Sequence, residues 1–304
     1  MLESGSNRLG AIDFQQRPDE YRPRLDTARL DELYDAAEKV LAGEPLDPAI
    51  SDALINGTAI GGAHPKVLIS DNSGVQYVAK LSVSGDVHPW IRAEAVGIEL
   101  ARLCGIEVPG AGVITSMGRN VLLIERFDRM PGGRRRHVVS GLTMLGFDAL
   151  LGARYGSYPD MLDVLRELGG APQDIGRRLF ERVVFNIAIG NNDDHARNHA
   201  AFWDGESLDL TPAFDLTPQP RSTDTSAQAM AIGRDGSRVS QFSVCVAAAA
   251  DYGLSRPEAK QIVEGIVSKI EDHWYEAADA AGLGAADRNV LWKRSILNRS
   301  SFYD

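Results

Sequence analysis

The sequence has few of the features that mark a secreted or membrane-bound protein. It contains only two cysteines, Cys104 and Cys245, both in apolar surroundings, which favours two buried free thiols in a reducing cytosol. No stretch approaches the roughly 20 apolar residues that span a bilayer. The N-terminus has no cationic start followed by an apolar run, so no signal peptide is expected. Together these absences predict a soluble, cytoplasmic protein with no membrane contact.

Positive charge is also scarce. Asp and Glu outnumber Lys and Arg by 42 to 32, and the formal net charge is -10. Unaided binding to nucleic acid depends on neutralising phosphates, so direct nucleic-acid binding is not expected. The run Arg134-Arg135-Arg136 is a local exception. It reads either as a solvated loop or as a docking point for an acidic substrate.

Residue periodicity divides the 304 residues into two parts and predicts an α+β fold. Residues 1–127 read as a small N-lobe of antiparallel strands and a helix, and residues 128–304 as a larger, mainly helical C-lobe. Residues 217–240 are rich in Ser, Thr, Gln, Arg and Gly and read as a mobile loop. Strands are predicted at 66–70, 75–83, 112–116, 120–126, 200–203 and 208–210; helices are predicted from residue 27, and at 47–56, 88–104, 142–151, 161–168, 175–189, 256–281 and 285–297.

The most informative stretch is a polar loop directly after the apolar helix at 175–189. Asp193 and Asn198 stand in the D-x-x-x-x-N relation of the protein-kinase catalytic loop. There the Asp accepts the proton of the substrate hydroxyl and the Asn helps to hold Mg²⁺. Asp215 arrives after a short strand pair, where a second metal-binding carboxylate is expected. The pattern makes phosphoryl transfer the leading hypothesis.

Two other interpretations of this loop remain open. Asp193, Asp194 and His195 stand close enough in sequence to be the metal ligands of a hydrolase. Alternatively, the polar residues form a C-capping network for the preceding helix. His195 follows the Asp by two residues, where many kinases place a Lys near the transferred phosphate.

The first half supplies matching candidates for nucleotide binding. Lys80 ends the strand Tyr-Val-Ala-Lys after a Gly-containing turn at 57–62, which is how kinases place the lysine that pairs with ATP phosphates. Such a lysine needs a carboxylate on the following helix, and Glu94 or Glu99 could supply it. The turn is not a P-loop, because no G-x-x-x-x-G-K-[ST] pattern occurs.

Five motifs occur in the order of one known family. They are Ile-Gly-Gly-Ala-His-Pro-Lys at 60–66, Tyr-Val-Ala-Lys at 77–80, Ile-Glu-Arg-Phe-Asp at 124–128, Asn-Asp-Asp-His-Ala-Arg-Asn at 192–198 and Leu-Thr-Pro-Ala-Phe-Asp at 210–215. With these motifs the chain from about residue 7 onward resembles the HipA-type serine/threonine kinases, the toxins of bacterial type II toxin–antitoxin modules. It resembles either the C-terminal kinase core of HipA or a short, HipT-type kinase.

The resemblance implies a bilobal protein-kinase-like fold that uses ATP and Mg²⁺ and phosphorylates a protein hydroxyl. It implies Asp193 as the catalytic base, with His195 facing the phosphates beside it. Asn198 and Asp215 would be the Mg²⁺ ligands. The remaining ATP contacts that it implies are Gly61, Gly62 and Ala63 in the phosphate-covering loop, Lys80 on the phosphates, and Glu125 and Phe127 at the adenine.

The resemblance also implies partners. Known members phosphorylate aminoacyl-tRNA synthetases and are commonly restrained by a DNA-binding antitoxin. The N-terminal subdomain of long HipA proteins has no counterpart in this chain, so a separate protein that provides it is expected, unless the chain is a fragment. The family's regulatory Ser is replaced by Ala59, which leaves only Thr58 as a candidate for autophosphorylation.

Two rival functions stay open at this point. One is a small-molecule phosphotransferase of the aminoglycoside or choline kinase sort, because those enzymes share the catalytic spacing. The other is a nucleotide-sensing pseudokinase that acts by binding partners. The intact set of Lys80, Asp193, Asn198 and Asp215 argues against the pseudokinase.

Overall fold

The computed structural model describes residues 6–22, 66–71, 73–82, 86, 88–116, 118–148, 156–168, 174–219 and 225–303. The predicted helices from residue 27 and at 47–56, and the turn with Gly61, Gly62 and Ala63, lie outside these residues. The chain forms two compact units. We call Met1–Arg92 with Pro109–His137 the N-terminal unit, and Ala93–Val108 with Val138–Asp304 the C-terminal unit.

The N-terminal unit contains a four-stranded antiparallel sheet in the order β1-β2-β4-β3. The predicted hairpin is confirmed, and Asp71 fixes its turn because its carboxylate accepts hydrogen bonds from the N–H groups of Ser73 and Val75, both at 2.9 Å. Such local bonding to the backbone is what favours Asp in turns. The strands are β1 at Lys66–Ser70, β2 at Gln76–Leu81, β3 at Ala111–Ser116 and β4 at Arg119–Glu125.

A buried charge cluster follows β4. Arg126 makes a two-pronged contact with Asp128 at 2.9 and 2.8 Å, and Arg129 adds a third bond at 2.7 Å. The cluster ties down the chain's start, because Gly10 donates its N–H to Asp128 and Arg126 donates to the side chain of Asn7. Burial acts to raise the pKa of Asp128, but the hydrogen bond and charge of Arg126, with Arg129, outweigh it and lower the pKa.

The C-terminal unit is mainly helical and carries a three-stranded sheet in the order β5-β6-β7. Among the described residues, no helix is both long and apolar enough to cross a membrane. Helix α1, at Trp90–Cys104, enters this unit at Ala93. The other elements are β5 at His137–Ser140, α2 at Gly141–Met144, α3 at Tyr158–Glu167, α4 at Ile175–Ile189, β6 at Ala200–Trp203, β7 at Leu208–Leu210, α5 at Phe242–Ala247, α6 at Arg256–Ala280 and α7 at Ala285–Leu291.

Helix α4 forms the centre of the core. Its residues from Arg182 to Ile189 are all buried, and Phe180 packs edge-on against Tyr252 with ring centroids 5.1 Å apart. Both cysteines are buried and free, as predicted, and burial raises the pKa of the Cys104 and Cys245 thiols to about 12. Both thiols are therefore protonated and unreactive at neutral pH.

Three predicted segments differ in the structure. The helix predicted at 142–151 ends at Met144, and Gly146 then turns the chain with φ +65°. The helix predicted at 285–297 ends at Leu291, because Trp292 is extended with ψ 127° and Lys293 then adopts φ +58°. Residues 225–240 were wrongly predicted as part of a mobile loop: Met230 and Ile232 are 0% exposed and belong to the core.

The two compact units do not follow the predicted division at residue 127. The N-terminal unit extends to His137, since the segment after β4 belongs to the buried charge cluster. Residues 93–108 belong to the C-terminal unit although they precede β3 and β4. The predicted lobe boundaries stay a prediction.

We predict that Asp128→Asn destabilises the protein by about 3–5 kcal/mol, because it leaves two buried arginines without their counter-charge. Asp19→Asn, which breaks an ion pair whose side chains are 68% and 65% exposed, serves as the control and should change stability little. Urea unfolding measures both. Since the folded pKa of Asp128 is lowered, its contribution is present above the unfolded pKa and is lost as pH falls through the folded value. Equal unfolding midpoints for the two variants would contradict the prediction.

Candidate active site

The predicted catalytic loop begins where α4 is stopped by Gly190. This residue has φ +71°, and its N–H caps the carbonyls of Asn186 and Ile187. A Cβ at this position would lie 2.6 Å from the carbonyl oxygen of Ser295. Only glycine fits both the left-handed backbone and this close approach.

Asp194 anchors the loop from inside the protein. Its carboxylate is 2% exposed and accepts hydrogen bonds from the Tyr158 hydroxyl at 2.7 Å and the Asn186 amide at 2.8 Å. Nε2 of His199 lies 2.9 Å from the other oxygen, although its N–H direction falls outside hydrogen-bond geometry. Burial, and next the charge of Asp194, raise the pKa of Tyr158, so the phenol stays protonated and donates.

The neighbouring residues of the loop differ in exposure, and Asn198 is only 9% exposed. The Asp193 side chain is exposed and makes no hydrogen bond with the described part of the chain. The amide of Asn198 donates to the main-chain oxygen of Asp193 at 3.0 Å, which fixes the two ends of the D-x-x-x-x-N motif to each other. His195 is half-buried, and its Nδ1 has no hydrogen-bond partner among the described residues.

Asp215 adopts an unusual backbone conformation. Its φ is +60°, a left-handed value that costs a residue other than glycine about 1–3 kcal/mol. Its carbonyl oxygen accepts a hydrogen bond from the Asn191 amide at 3.1 Å. Strain of this kind persists where surrounding contacts hold the residue, and it clusters at functional sites.

The residues on both sides of Asp215 are held by the segment around α1. Ala213 donates its N–H to the carbonyl of Glu107 at 2.8 Å. On the other side, the carbonyl oxygen of Leu216 approaches Gly97 so closely that a Cβ there would lie 1.9 Å from it. The backbone position of Asp215 therefore depends on a helix that lies far away in sequence.

The loop residues fit the donor set that Mg²⁺ takes in phosphoryl-transfer sites. Mg²⁺ is commonly held by one or two carboxylates together with substrate phosphates. The Oδ1 atom of Asn198 accepts no hydrogen bond from the described residues, and its amide orients it. The described residues contain no group of three or more His, Cys, Asp or Glu placed to hold a metal by themselves. This geometry does not favour the hydrolase alternative, and Asp194 is directed into the core.

The remaining predicted contacts belong to the N-terminal unit. Lys80 lies on β2, opposite Lys66 on one side and Leu122 on the other, and it is half-buried. Glu125 is exposed at the end of β4, and Phe127 is half-buried.

The two carboxylates predicted as partners of Lys80 differ in their surroundings. Glu99 pairs with Arg102 along the surface of α1, at 2.5 Å. Glu94 is 4% exposed.

A separate cavity in the C-terminal unit does not contain this chemistry. Its volume is about 450 Å³, and it is lined mainly by apolar side chains of α5, α6 and the C-terminal segment, including Phe242, Val263 and Phe302. None of the predicted site residues that the structure describes lines it. We therefore place the candidate site at the loop from Gly190 to Asn198 together with Asp215.

One family profile matches the part of the chain that contains these motifs and the loop. The profile of the HipA-like C-terminal domain matches residues 58–274, which is most of the chain. The chain belongs to the HipA-like C-terminal domain family. The match includes the HipA-like loop at 190–198 and Asp215.

Individual relatives are more distant. The chain is 28% identical over 193 residues to the serine/threonine-protein kinase toxin HipA of Shewanella oneidensis, covering 56% of this chain and 43% of that protein. In the solved complex of Shewanella oneidensis HipA with HipB and operator DNA, one chain matches with a TM-score of 0.61 at 21% identity, covering 79% of this chain and 64% of that one. The proinflammatory kinase CtkA of Helicobacter pylori matches with a TM-score of 0.52 at 13% identity, covering 78% of this chain and 92% of that one.

These likenesses confirm the predicted α+β, protein-kinase-like fold. The chain spans less than half the length of the curated HipA relative, so a fold and a family are shared over that part only.

The sequence pattern identified Asp193, His195 and Asn198 but not the residues that hold the loop in place. Tyr158, Asn186 and Asn191 were not singled out, because their partners are distant in sequence or lie on the buried side. Asn186 gave one usable signal, as a polar residue in an otherwise apolar helix turn. Buried polar groups normally have partners, so such a residue indicates a network.

We predict that Gly97→Ala destabilises the protein by about 1–3 kcal/mol or more, since its Cβ overlaps the backbone of Leu216 and must displace the segment that carries Asp215. Gly265→Ala, in α6, is the matched control because nothing lies within 4 Å of its Cβ position. Removing a helical glycine there should stabilise the protein by about 0.5–1 kcal/mol. Thermal unfolding measures the two effects, and the same sign for both variants would refute the packing argument.

Proposed function

We propose that this protein is an ATP- and Mg²⁺-dependent serine/threonine protein kinase of HipA type. One observation carries the proposal: the loop exposes the Asp193 carboxylate while Asn198 is bonded to the main chain of Asp193 at 3.0 Å. A base and a metal ligand are thereby presented by one short loop, as phosphoryl transfer requires. Membership of the HipA-like family supports this reading.

In the proposed reaction, Asp193 accepts the proton of the acceptor hydroxyl as the new oxygen–phosphorus bond forms. The bond from the γ-phosphorus to the β,γ-bridging oxygen breaks, and ADP leaves. Asn198 and Asp215 would hold Mg²⁺, which would neutralise charge on the phosphates. Transition states of this class need positioning and charge neutralisation more than covalent help, so a rigid loop suits the task.

The nucleotide contacts rest on the family resemblance. Lys80 would pair with ATP phosphates, and Glu125 and Phe127 would lie at the adenine. His195 would face the transferred phosphate. Gly61, Gly62 and Ala63, which lie outside the described residues, would cover the phosphates.

The acceptor and partners are proposed by the same route. A Ser or Thr of a translation protein, such as an aminoacyl-tRNA synthetase, is the proposed target. The Shewanella oneidensis HipA structure contains HipB and operator DNA, which supports a DNA-binding antitoxin as a partner here.

We predict that Asp193→Asn lowers the rate of phosphoryl transfer by about 10²–10⁴-fold, the usual contribution of a general base. The change keeps the size of the side chain, so the affinity for an ATP analogue with Mg²⁺ should stay near that of the wild type. Phosphoproteomics after brief expression identifies the acceptor, and transfer of labelled γ-phosphate to that acceptor gives the rate.

Asp204→Asn is the control, because Asp204 lies exposed in the turn between β6 and β7. It should transfer phosphate at the wild-type rate. Transfer by the Asp193 variant at the wild-type rate would disprove the assignment of the base. Label found in a small molecule and in no protein would favour a small-molecule phosphotransferase instead.

A further inference from the structure

A chain of hydrogen bonds joins the catalytic loop to Asp215 beneath the surface. The Tyr158 hydroxyl donates to the carboxylate of Asp194 at 2.7 Å, and the Asn186 amide donates to the same carboxylate at 2.8 Å. The Oδ1 atom of Asn186 then accepts from Asn191 at 2.9 Å. The same Asn191 amide donates to the carbonyl oxygen of Asp215 at 3.1 Å.

Asn191 occupies the decisive link of this chain. Its side chain is 1% exposed, so a misplaced polar atom there could not turn to water. One planar amide nitrogen serves two acceptors, one on α4 and one on the backbone of the predicted metal ligand. An Asp would present oxygens to both acceptors, and a Ser has a single proton to donate. Asn is the residue of this size that satisfies both.

The side chain of Asn191 is not required to cap α4. Gly190 ends the helix with its own N–H, and the main-chain N–H of Asn191 bonds the carbonyl of Asn186 at 2.8 Å. Backbone groups therefore satisfy this end of the helix. The side-chain amide is left for the contact with Asp215, whose φ of +60° needs support.

We propose that Asn191 is a positioning residue for the Mg²⁺ site, acting through the backbone of Asp215. This inference rests on the proposed function. By holding the carbonyl of Asp215, Asn191 sets the direction in which that residue's carboxylate leaves the backbone. Asn191 also bonds Asn186, which bonds Asp194. These bonds fix the position of Asp215 relative to Asp193 and Asn198. Residues that orient a metal ligand in this way typically change metal affinity or activity by about 10–100-fold when they are replaced.

The test uses the full chain and the variant Asn191→Asp, which keeps the size of the side chain and removes both N–H donors. Binding of Mn²⁺ is followed by electron paramagnetic resonance with a non-hydrolysable ATP analogue present. The expected result is a dissociation constant for Mn²⁺ raised by about 10–100-fold. The Mg²⁺ concentration for half-maximal phosphoryl transfer should rise in parallel, while affinity for the analogue without metal stays unchanged.

Asn298→Asp is the matched control. The Asn298 amide also donates to a backbone carbonyl, that of Arg294 at 2.7 Å, but it is not part of this hydrogen-bond chain. It should bind Mn²⁺ like the wild type. Asn191→Ser keeps one donor and should give a smaller shift than Asn191→Asp.

Three outcomes overturn the inference while the proposed function stands. In the first, both Asn191 variants bind Mn²⁺ as tightly as the control. In the second, metal-free nucleotide affinity falls by the same factor as metal affinity. In the third, neither variant folds, which would make Asn191 a structural residue only. If the wild type itself binds no metal–nucleotide complex and transfers no phosphate, the proposed function fails instead.

Discussion

The candidate site depends on the burial of one carboxylate, that of Asp194. A carboxylate that is 2% exposed must be compensated by nearby donors, because burying an uncompensated charge costs several kcal/mol. The donors are the Tyr158 hydroxyl on α3 and the Asn186 amide on α4, and Nε2 of His199, next to β6, lies 2.9 Å from the carboxylate. Three elements that are distant in sequence must therefore meet at this point before the loop can adopt its path. The packing of the core around α4 brings them together.

Asp194 is directed inward, whereas the residue before it in the loop faces outward. Asp193 is exposed, and Asn198 is fixed to the main chain of Asp193. The same network reaches Asp215 through Asn191, so the parts of the proposed site share one rigid support. A reaction that depends on positioning needs this kind of preorganisation. In the proposed kinase, the buried hydrogen bonds around Asp194 supply the geometry, and Asp193, Asn198 and Asp215 supply the chemistry.

Local patterns made much of the fold and the outer residues of the site predictable. Alternating apolar residues and the turn at Asp71 located the hairpin of β1 and β2, and the spacing of Asp193 and Asn198 located the loop. Long-range contacts were not predictable in this way. The left-handed backbone of Asp215 is held by its own bond with Asn191 and by the contacts of its neighbours, Ala213 with Glu107 and Leu216 with Gly97. Residues 225–240 have the composition of a loop, yet Met230 and Ile232 within them are buried in the core.

The most direct test of the account is a crystal structure of the protein with Mg²⁺ and a non-hydrolysable ATP analogue. The account predicts Mg²⁺ at about 2.0–2.1 Å from Oδ1 of Asn198 and from the carboxylate of Asp215. It also predicts that Asp194 remains bonded to Tyr158 in the core. A metal bound instead by Asp193, Asp194 and His195, or a nucleotide bound away from this loop, would contradict it.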